Sequence, residues 1–376
     1  MRVRDWRYVL LVLVLVGISL TVGAQQTPTS FQPAKVVTLG FQTLDDMTID
    51  LATNVLYIVG CSGDKGFLAK YDTDLDLKRQ ISWDRTPYRV VVDSKSFVYV
   101  IMEDRKLLKF NPTNLEVVDE AVMEPLEEKS GCSGCMGTYE MGITANDDIY
   151  VFRYHGAGKP LCGRLRITRY NTDLEPQGST SWDIEEGTLR SAGMAVDPTS
   201  SDVYVSGQIR KGDELCYFLK RFDGQLNKKQ ERDCLNSMSG TISGGGPQLA
   251  EPHMVADSGF VYIATYGKLP SGRGLDIWLE KFNSELSSAG CSSWGWQDPE
   301  ADIAKGIAID TATQDVYVVG VRILRGMLVI KYDNNVQPLW SKAWKVWGGR
   351  GSIPEAVVID SSSNVYVGGD GFIFKL

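Results

Sequence analysis

Histidine is scarce in this chain, and its scarcity limits the chemistry that the chain could support. His155 and His253 are the only histidines among 376 residues, and they lie far apart in the sequence. A metal site built from several imidazole groups is therefore excluded. The sequence also lacks a Gly-x-Ser-x-Gly motif and a contiguous Asp-rich loop. It thus carries no sign of a serine-hydrolase nucleophile turn or of a calcium-binding loop.

Positive charge is nowhere concentrated in the sequence. The chain has 39 Lys and Arg against 47 Asp and Glu, a formal net charge of −8, and no block of five or more basic residues. Nucleic acids and anionic lipid surfaces both attract concentrated positive charge. The composition therefore argues against nucleic-acid partners and against binding to anionic membranes.

Long apolar runs are absent except near the N-terminus. There, Arg2, Arg4 and Arg7 precede the run "VLLVLVLVGISLTV", and small residues follow as far as Ala24. The run of roughly 14 residues is shorter than the ~20 needed to span a bilayer. This order predicts a secretory signal peptide over residues 1–24 and a short linker over 25–35, so that the protein is secreted, periplasmic or on the cell surface. An uncleaved signal anchor is the alternative, and it would be the only membrane attachment.

The remainder of the chain repeats a pattern of four short strands. Residues 306–344, "GIAIDTATQDVYVVGVRILRGMLVIKYDNNVQPLWSKAW", show it fully: four β-rich runs separated by Asp, Asn and Gly turns. An Asp ends the first strand of most copies: Asp50, Asp93, Asp197, Asp257, Asp310 and Asp360, with Asn146 in its place once. A Tyr marks the second strand: Tyr57, Tyr99, Tyr150, Tyr204, Tyr262, Tyr317 and Tyr366. A basic–aromatic–Asp/Asn triplet ends the third strand, beginning at Lys70, Lys109, Arg169, Arg221, Lys281 and Lys331.

Seven such copies predict an all-β fold, a seven-bladed β-propeller of four-stranded antiparallel blades over residues 36–376. The marker Asp side chains suit the turns between strands, and the marker Tyr rings suit packing between blades. The last copy ends at "GFIFKL", one strand short, whereas residues 34–40, "AKVVTLG", form a lone strand before the first copy. We therefore expect this N-terminal strand to complete the last blade and close the ring.

The repeats resemble a known family. "GIAIDTATQDVYVVGVR", "VVIDSSSNVYVGGDGFIFKL" and "MAVDPTSSDVYVSGQI" resemble the SBBP-type beta-propeller repeat, and "VVIDSSSNVYV" is also similar to NHL-type propeller repeats. The resemblance implies a secreted or surface-exposed propeller. It implies no common activity and no shared catalytic residues.

Propellers usually bind ligands at one mouth of the central channel, so the residues that begin each inner strand are the candidate site. Counting back from each marker Asp gives a charged ring: Asp45, Asp46, Arg89, Glu140, Glu251, His253, Lys305 and Glu355. The fourth copy contributes only Ala192 and Gly193 at this position. The ring predicts a polar binding site without a cofactor. A divalent metal such as Ca²⁺, held by Asp46, Glu140, Glu251 and His253, is the alternative.

Seven cysteines in an exported chain are candidates for disulfides, and the odd number leaves at least one unpaired within the molecule. Cys216 and Cys234 lie in adjacent strands at equal distances from a turn at Gln225, which predicts a disulfide between them. Cys162 is expected to pair with Cys132 or Cys135. A local Cys132–Cys135 bridge is the alternative.

Three tryptophans complete the candidate residues. Trp294, Trp296 and Trp347 lie at or beyond the ends of fourth strands. They could stack on a sugar or anchor a partner protein, or they could pack between blades. The leading prediction is a non-catalytic propeller that presents loops to an extracellular protein or glycan. A metal-dependent, lactonase-like hydrolase and a structural component joined through an unpaired cysteine are the alternatives.

Overall fold

The computed structural model is an all-β ring of seven four-stranded antiparallel sheets. It describes residues 33–39, 42–126, 137–155, 164–212, 214–235, 252–267, 275–295, 300–323, 326–344 and 353–376. Every element in these ranges is a β-strand, and no helix among them is long and apolar enough to cross a membrane. The predicted seven-bladed β-propeller is confirmed.

Each blade has its innermost strand first and its outermost strand last. Blade one contains β2 (Gln42–Asp50), β3 (Val55–Ser62), β4 (Lys65–Tyr71) and β5 (Leu77–Trp83); blade two β6 (Pro87–Val92), β7 (Val98–Met102), β8 (Lys106–Phe110) and β9 (Val117–Val122); blade three β10 (Gly137–Ile143), β11 (Ile149–His155), β12 (Arg164–Tyr170) and β13 (Pro176–Asp183); blade four β14 (Thr188–Val196), β15 (Val203–Lys211), β16 (Glu214–Phe222) and β17 (Lys228–Leu235). Blade five contains β18 (His253–Asp257), β19 (Phe260–Gly267), β20 (Asp276–Asn283) and β21 (Ser288–Trp294); blade six β22 (Asp302–Ile309), β23 (Val316–Arg322), β24 (Gly326–Tyr332) and β25 (Pro338–Trp344); blade seven β26 (Pro354–Ile359), β27 (Val365–Gly369), β28 (Phe372–Lys375) and β1 (Lys35–Thr38).

The N-terminal strand closes the ring as expected. β1 pairs with β28 in antiparallel register, with Lys35 opposite Lys375 and Thr38 opposite Phe372. The order β1-β28-β27-β26 makes β1 the fourth strand of blade seven. The edge of β28 is therefore covered by the other end of the chain, and no blade is left with three strands.

Turns between the first and second strands are fixed by the marker residues. The Asp93 carboxylate accepts hydrogen bonds from the backbone N–H groups of Lys95 and Phe97 at 2.9 and 2.8 Å. Asp360 does the same for Ser362 and Asn364. Blade three differs from the expectation, because its marker is Thr144 rather than Asn146. Thr144 directly follows β10, and its hydroxyl accepts a hydrogen bond from the backbone N–H of Asp148 at 3.1 Å.

The same carboxylates also bind the neighbouring blade. The second oxygen of Asp197 accepts a hydrogen bond from the Gly259 N–H of blade five at 2.7 Å, and Asp257 accepts one from the Gln314 side chain of blade six at 2.8 Å. A buried carboxylate has enough lone pairs to serve its own turn and the next one. The marker aspartates are therefore inter-blade ties as well as turn residues.

The basic residue of five of the six triplets, and Lys375 at the corresponding position of blade seven, reach the next blade, which the sequence pattern did not predict. Each donates to a backbone carbonyl in the turn between the third and fourth strands of that blade. The pairs are Lys70–Pro112, Lys109–Thr172, Arg169–Gly224, Arg221–Ser284, Lys281–Asn334 and Lys375–Thr73, at 2.7–3.2 Å. Most of these lysines also lie over the marker Tyr ring of their own blade, as Lys109 does over Tyr99 at 5.7 Å. This geometry adds a cation–π attraction to the hydrogen bond.

An apolar residue in the left-handed conformation recurs in these same turns. Leu75, Leu115, Leu174, Leu226, Leu286 and Val336 all have φ between 53° and 63°. This conformation costs an L-residue roughly 1–2 kcal/mol. Each of these side chains is buried, and most join a cluster that packs two blades together. Burying a Leu or Val side chain gains about 1.5–3 kcal/mol, which offsets the strain.

The core consists of apolar clusters, most of which join adjacent blades. Marker tyrosines such as Tyr57, Tyr99 and Tyr366 are almost fully buried in them, as predicted. The cluster between blades seven and one contains Leu39 from the segment after β1, together with Leu44 and Met47 of β2 and Ile373 of β28. The N-terminal closure is therefore held by packing as well as by backbone pairing.

Candidate functional site

A polar cavity of about 630 Å³ opens at the mouth of the central channel, where the inner strands begin. All seven blades line it, because β2, β6, β10, β14, β18, β22 and β26 each contribute at least one residue. The volume falls within the range typical of small-ligand sites.

The structure brings together the predicted ring residues that it describes. Asp46, Arg89, Glu140, His253, Lys305, Glu355 and the adjacent Asp45 all line the cavity. Glu251 lies outside the described residues. Asp370, in the turn between β27 and β28, also lines the cavity and was missed by the sequence reasoning. That reasoning considered inner strands only, whereas turns between second and third strands point to the same mouth.

Blade four contributes backbone rather than a polar side chain. Gly193 lines the cavity, and a Cβ atom added there would lie 2.3 Å from the Pro252 carbonyl oxygen of blade five. Such a distance is sterically forbidden, so only glycine permits the two inner strands to approach this closely.

Arg89 and Glu140 form a bidentate ion pair across blades two and three. The Arg89 Nε and Nη2 atoms donate to the two Glu140 carboxylate oxygens at 2.8 and 2.6 Å. Both side chains are about three-quarters buried. A fork-to-fork pair of this kind fixes both groups, so the mouth has a preformed polar wall there.

Asp46 lies beside this pair and has an unusual environment. One of its carboxylate oxygens accepts a hydrogen bond from the Val90 N–H at 2.8 Å. Burial raises the pKa of Asp46 to about 6, although the Arg89 charge and the Val90 hydrogen bond act in the opposite direction. Burial also raises the pKa of Asp45 and of Asp370 above the ordinary value. The mouth therefore holds carboxyl groups that exchange protons closer to neutral pH than exposed ones do.

His253 is neutral at physiological pH. Burial, together with the positive charges of Lys305 and Arg89, lowers its pKa to about 3. A neutral imidazole has one donor and one acceptor nitrogen and adds no charge to the cavity. Lys305 lies near Glu355, with its Nζ 3.7 Å from a carboxylate oxygen.

Acid exceeds base in the described lining. Five carboxyl groups (Asp45, Asp46, Glu140, Glu355 and Asp370) face two cationic side chains (Arg89 and Lys305). The excess persists even when Asp46 carries a proton. The cavity is thus rich in hydrogen-bond acceptors and carries a negative potential at neutral pH.

The metal alternative gains little support from the arrangement. Among the described residues, no group of three or more His, Cys, Asp or Glu side chains lies close enough to hold a metal ion. Both Glu140 oxygens already accept hydrogen bonds from Arg89. Since Glu251 lies outside the described ranges, the four-ligand site stays a prediction.

The predicted tryptophans do not form an exposed aromatic platform in the part of the chain that is described. Trp294 is buried, with 8% of its surface exposed, in the cluster that joins blades five and six. This position matches the packing alternative. Trp296 and Trp347 lie outside the described residues.

The structure describes only some of the cysteines that were predicted to form disulfides. Cys216 is buried on β16, and β17 includes Cys234. The register places Tyr217 opposite Leu235 and is irregular between Tyr217 and Leu219, so Cys216 and Cys234 are not directly opposed as the simple turn at Gln225 implied. Cys216 is disulfide-bonded, and its pairing with Cys234 in particular stays a prediction. Cys132, Cys135 and Cys162 lie outside the described residues, and Cys61 and Cys291 are free.

A solved structure shares this architecture. It is the crystal structure of selenomethionine-substituted virginiamycin B lyase from Staphylococcus aureus, which aligns with a TM-score of 0.57 over 91% of this chain and 97% of that chain. The two sequences are 9% identical. A likeness at this identity supports the fold alone. No protein-family model matches the chain, and no curated protein sequence matches it.

Proposed function

We propose that this protein is an exported, non-catalytic propeller that binds a neutral or amino-sugar glycan at the mouth of its central channel. The observation that carries the proposal is the polar cavity, to which seven blades contribute charged, hydrogen-bonding and backbone groups in fixed positions. The targeting segment predicted over residues 1–24 supports an extracellular or periplasmic setting.

Sugar hydroxyl groups match the chemistry of this lining. Each hydroxyl both donates and accepts hydrogen bonds, and charged partners strengthen those bonds. The Arg89–Glu140 pair offers fixed donors and acceptors side by side, while Asp45 and Glu355 add acceptors from blades one and seven. The apolar Met194 and Met254 side chains lie on the same wall and can contact the carbon face of a sugar ring.

The charge of the mouth defines which glycans it accepts. An excess of carboxylates repels uronic acids and sulfated sugars and attracts amino sugars. A small concave cavity also suits a saccharide better than a flat protein surface. We therefore favour a glycan over a protein ligand at this mouth.

A metal-dependent, lactonase-like hydrolase is the second candidate, and one observation favours it. Asp46 combines a raised pKa of about 6 with a position in a cleft, which is common at catalytic sites. The similar solved structure is that of a lyase, so the propeller fold accommodates enzymes. At the identity observed, no catalytic role carries over to this chain.

Binding to an array of neutral, amino, uronic and sulfated glycans tests the proposal. We expect binding to neutral or amino glycans, weakened by Asp45→Asn or Glu355→Gln, which remove charged acceptors at the mouth. Asp74→Asn is the matched control, because Asp74 is exposed in a turn between β4 and β5 and does not line the cavity.

Two results would overturn the proposal. One is the absence of binding to any neutral or amino glycan, and the other is binding that Asp45→Asn and Glu355→Gln leave unchanged. Metal found by elemental analysis, together with metal-dependent cleavage of a lactone or ester panel, would favour the hydrolase instead.

A further inference from the structure

A second cavity lies away from the channel mouth, between the outer parts of blades two and three. It has a volume of about 240 Å³. Ala121 and Val122 of β9 and the following Glu124 form one wall, and blade three forms the other with residues of β11, β12 and β13. The volume exceeds what a few waters fill, so a small solute fits.

Blade three lines this cavity with a row of donors on one face of its sheet. Arg153 on β11 is opposite Arg166 on β12, so two guanidinium groups lie side by side. Thr168, two residues beyond Arg166, pairs across the sheet with Ser179 of β13. All four side chains line the cavity. Two cations with two hydroxyl groups form a set of donors that suits an oxyanion.

Arg153 is the decisive residue, because it is a buried charge for which the described part of the chain supplies no counter-ion. Only 3% of its surface is exposed. None of the described carboxylates forms an ion pair with it, and the Tyr139 hydroxyl accepts a hydrogen bond from it. Burial lowers the pKa of Arg153, and the positive charges of Arg166 and Arg105 lower it further. An uncompensated buried guanidinium is destabilising, so a bound anion would stabilise the fold.

Among the described residues, Glu124 supplies the one carboxylate that lines this cavity. It accepts a hydrogen bond from Arg166 at 2.6 Å, but 74% of its side chain is exposed. An ion pair whose carboxylate is largely exposed is weak, so a ligand that binds the guanidinium group through two oxygens can displace that carboxylate. Glu124 therefore acts as a competitor for Arg166 and leaves Arg153 uncompensated.

We propose that the cleft formed by Arg153, Arg166, Thr168 and Ser179 is an oxyanion site that binds sulfate or phosphate, either free or as a monoester. Tetrahedral oxyanions accept hydrogen bonds from two guanidinium groups and from hydroxyls at the same time. This site is separate from the channel mouth, and it selects the opposite charge. The proposal therefore does not depend on glycan binding at the mouth.

Titration calorimetry with sodium sulfate and sodium phosphate, at constant ionic strength adjusted with sodium chloride, tests the proposal. We expect saturable binding, weakened at least about tenfold by Arg166→Gln and by Arg153→Met, since each removes charge-assisted hydrogen bonds. Arg79→Gln is the matched control, because Arg79 is an exposed arginine on β5 and does not line the cleft.

Glu124→Gln distinguishes an anion site from a purely structural role of the two arginines. Removing the competing carboxylate should strengthen sulfate binding several-fold, whereas the three arginine variants cannot do so. If Arg153→Met fails to fold, Arg166→Gln and Glu124→Gln decide the question. Failure to saturate with either anion would overturn the proposal, as would equal affinities for the Arg166→Gln variant and the unmodified protein.

A sulfated N-acetylglucosamine, compared with inorganic sulfate, distinguishes the two sources of the anion. An ester that binds at least as tightly as sulfate would assign the site to a sulfated glycan. An ester that binds much more weakly would assign it to the free anion. Glycan binding at the channel mouth should be unaffected by Arg166→Gln, so the two proposals can fail independently.

Discussion

Deleting residues 34–39 should destabilise the whole propeller, because this segment supplies the outer strand of blade seven. The deletion removes the β1–β28 pairing, in which four residues of each strand are partners. It also removes two flanking hydrogen bonds, from the Ala34 N–H to the Lys375 carbonyl at 2.9 Å and from the Leu39 N–H to the Gly371 carbonyl at 2.8 Å.

The structure gives a lower estimate of the loss. Each flanking hydrogen bond contributes about 1 kcal/mol, and the burial of Leu39 contributes about 2 kcal/mol, for a total of about 4 kcal/mol before the ladder itself is counted. An unfolding entropy of about 0.7 kcal/mol/K for a domain of this length converts that loss into a Tm lower by about 6 °C. The Lys35–Asp76 ion pair adds little, because both side chains are largely exposed.

Calorimetry of the deletion variant measures the effect, and two point variants separate packing from pairing. Leu39→Ala removes a buried side chain and should cost about 2–4 kcal/mol. Val36→Ala changes a side chain on the same strand that is 47% exposed, and it should stay within about 0.5 kcal/mol of the unmodified protein. A deletion variant with unchanged Tm would refute the argument that β1 closes the ring.

Three further predictions follow from other contacts. Lys109→Met removes the 2.7 Å hydrogen bond to the Thr172 carbonyl and the cation–π contact with Phe97, and it should cost about 1–3 kcal/mol by urea unfolding. Lys106→Met removes only a partly exposed ion pair with Glu120, and it should cost under about 1 kcal/mol. Burial raises the pKa of Glu280 from 4.5 to about 7, so the folded state retains a proton that the unfolded state releases. The free energy of unfolding should therefore fall by about 3 kcal/mol as the pH rises from 4.5 to 7, and Glu280→Gln should abolish this dependence on pH. Peptide mapping without reductant should recover Cys216 joined to Cys234, and recovery of Cys216 as a free thiol would contradict that pairing.

The sequence was sufficient to predict the fold because the propeller repeats itself. Seven copies of a marker Tyr at a near-constant spacing specify strand number, blade number and the packing of blades against one another. The last copy, which ends one strand short at "GFIFKL", and the lone strand at "AKVVTLG" then complete each other. These conclusions need only periodicity and the cost of an unpaired edge.

Contacts between blades were less accessible, because they join residues with no fixed relation in sequence. The basic residue of the triplet recurs visibly, but in five of the six triplets its acceptor is a carbonyl of the following blade, and backbone groups carry no sequence signal. The left-handed conformation of the turn Leu and Val residues could not be predicted from the sequence either, since a residue with an apolar side chain rarely adopts φ > 0. Only the burial of these side chains between blades explains their conformation.

Most of the candidate site was predicted from the topology of the propeller. The residues that were missed lie outside the inner strands, to which the prediction was confined. Seven ring residues reach the mouth because each inner strand begins there. Asp370 reaches it from a turn, and Arg153 lines a different cavity through a cross-strand neighbour that no spacing rule identifies. The marker of blade three was misplaced for a simpler reason. Thr144 can satisfy the turn with a hydroxyl, so the search for an acidic or amide side chain passed over it.

Lys331 shows how the inter-blade network depends on ring closure. Six of the seven basic marker positions bind a turn carbonyl of the next blade, and the seventh, Lys331, instead lies 2.7 Å from Asp315 of its own blade. Blade seven receives its fourth strand from the N-terminus, so it has no turn between third and fourth strands to offer a carbonyl. The same topology thus has two consequences: β1 pairs with β28, and the junction between blades six and seven has no acceptor carbonyl for Lys331. At the junction between blades six and seven, the apolar cluster and the Asp310–Ser363 hydrogen bond take the place of the lysine–carbonyl bond. At the junction between blades seven and one, Lys375 donates to the Thr73 carbonyl.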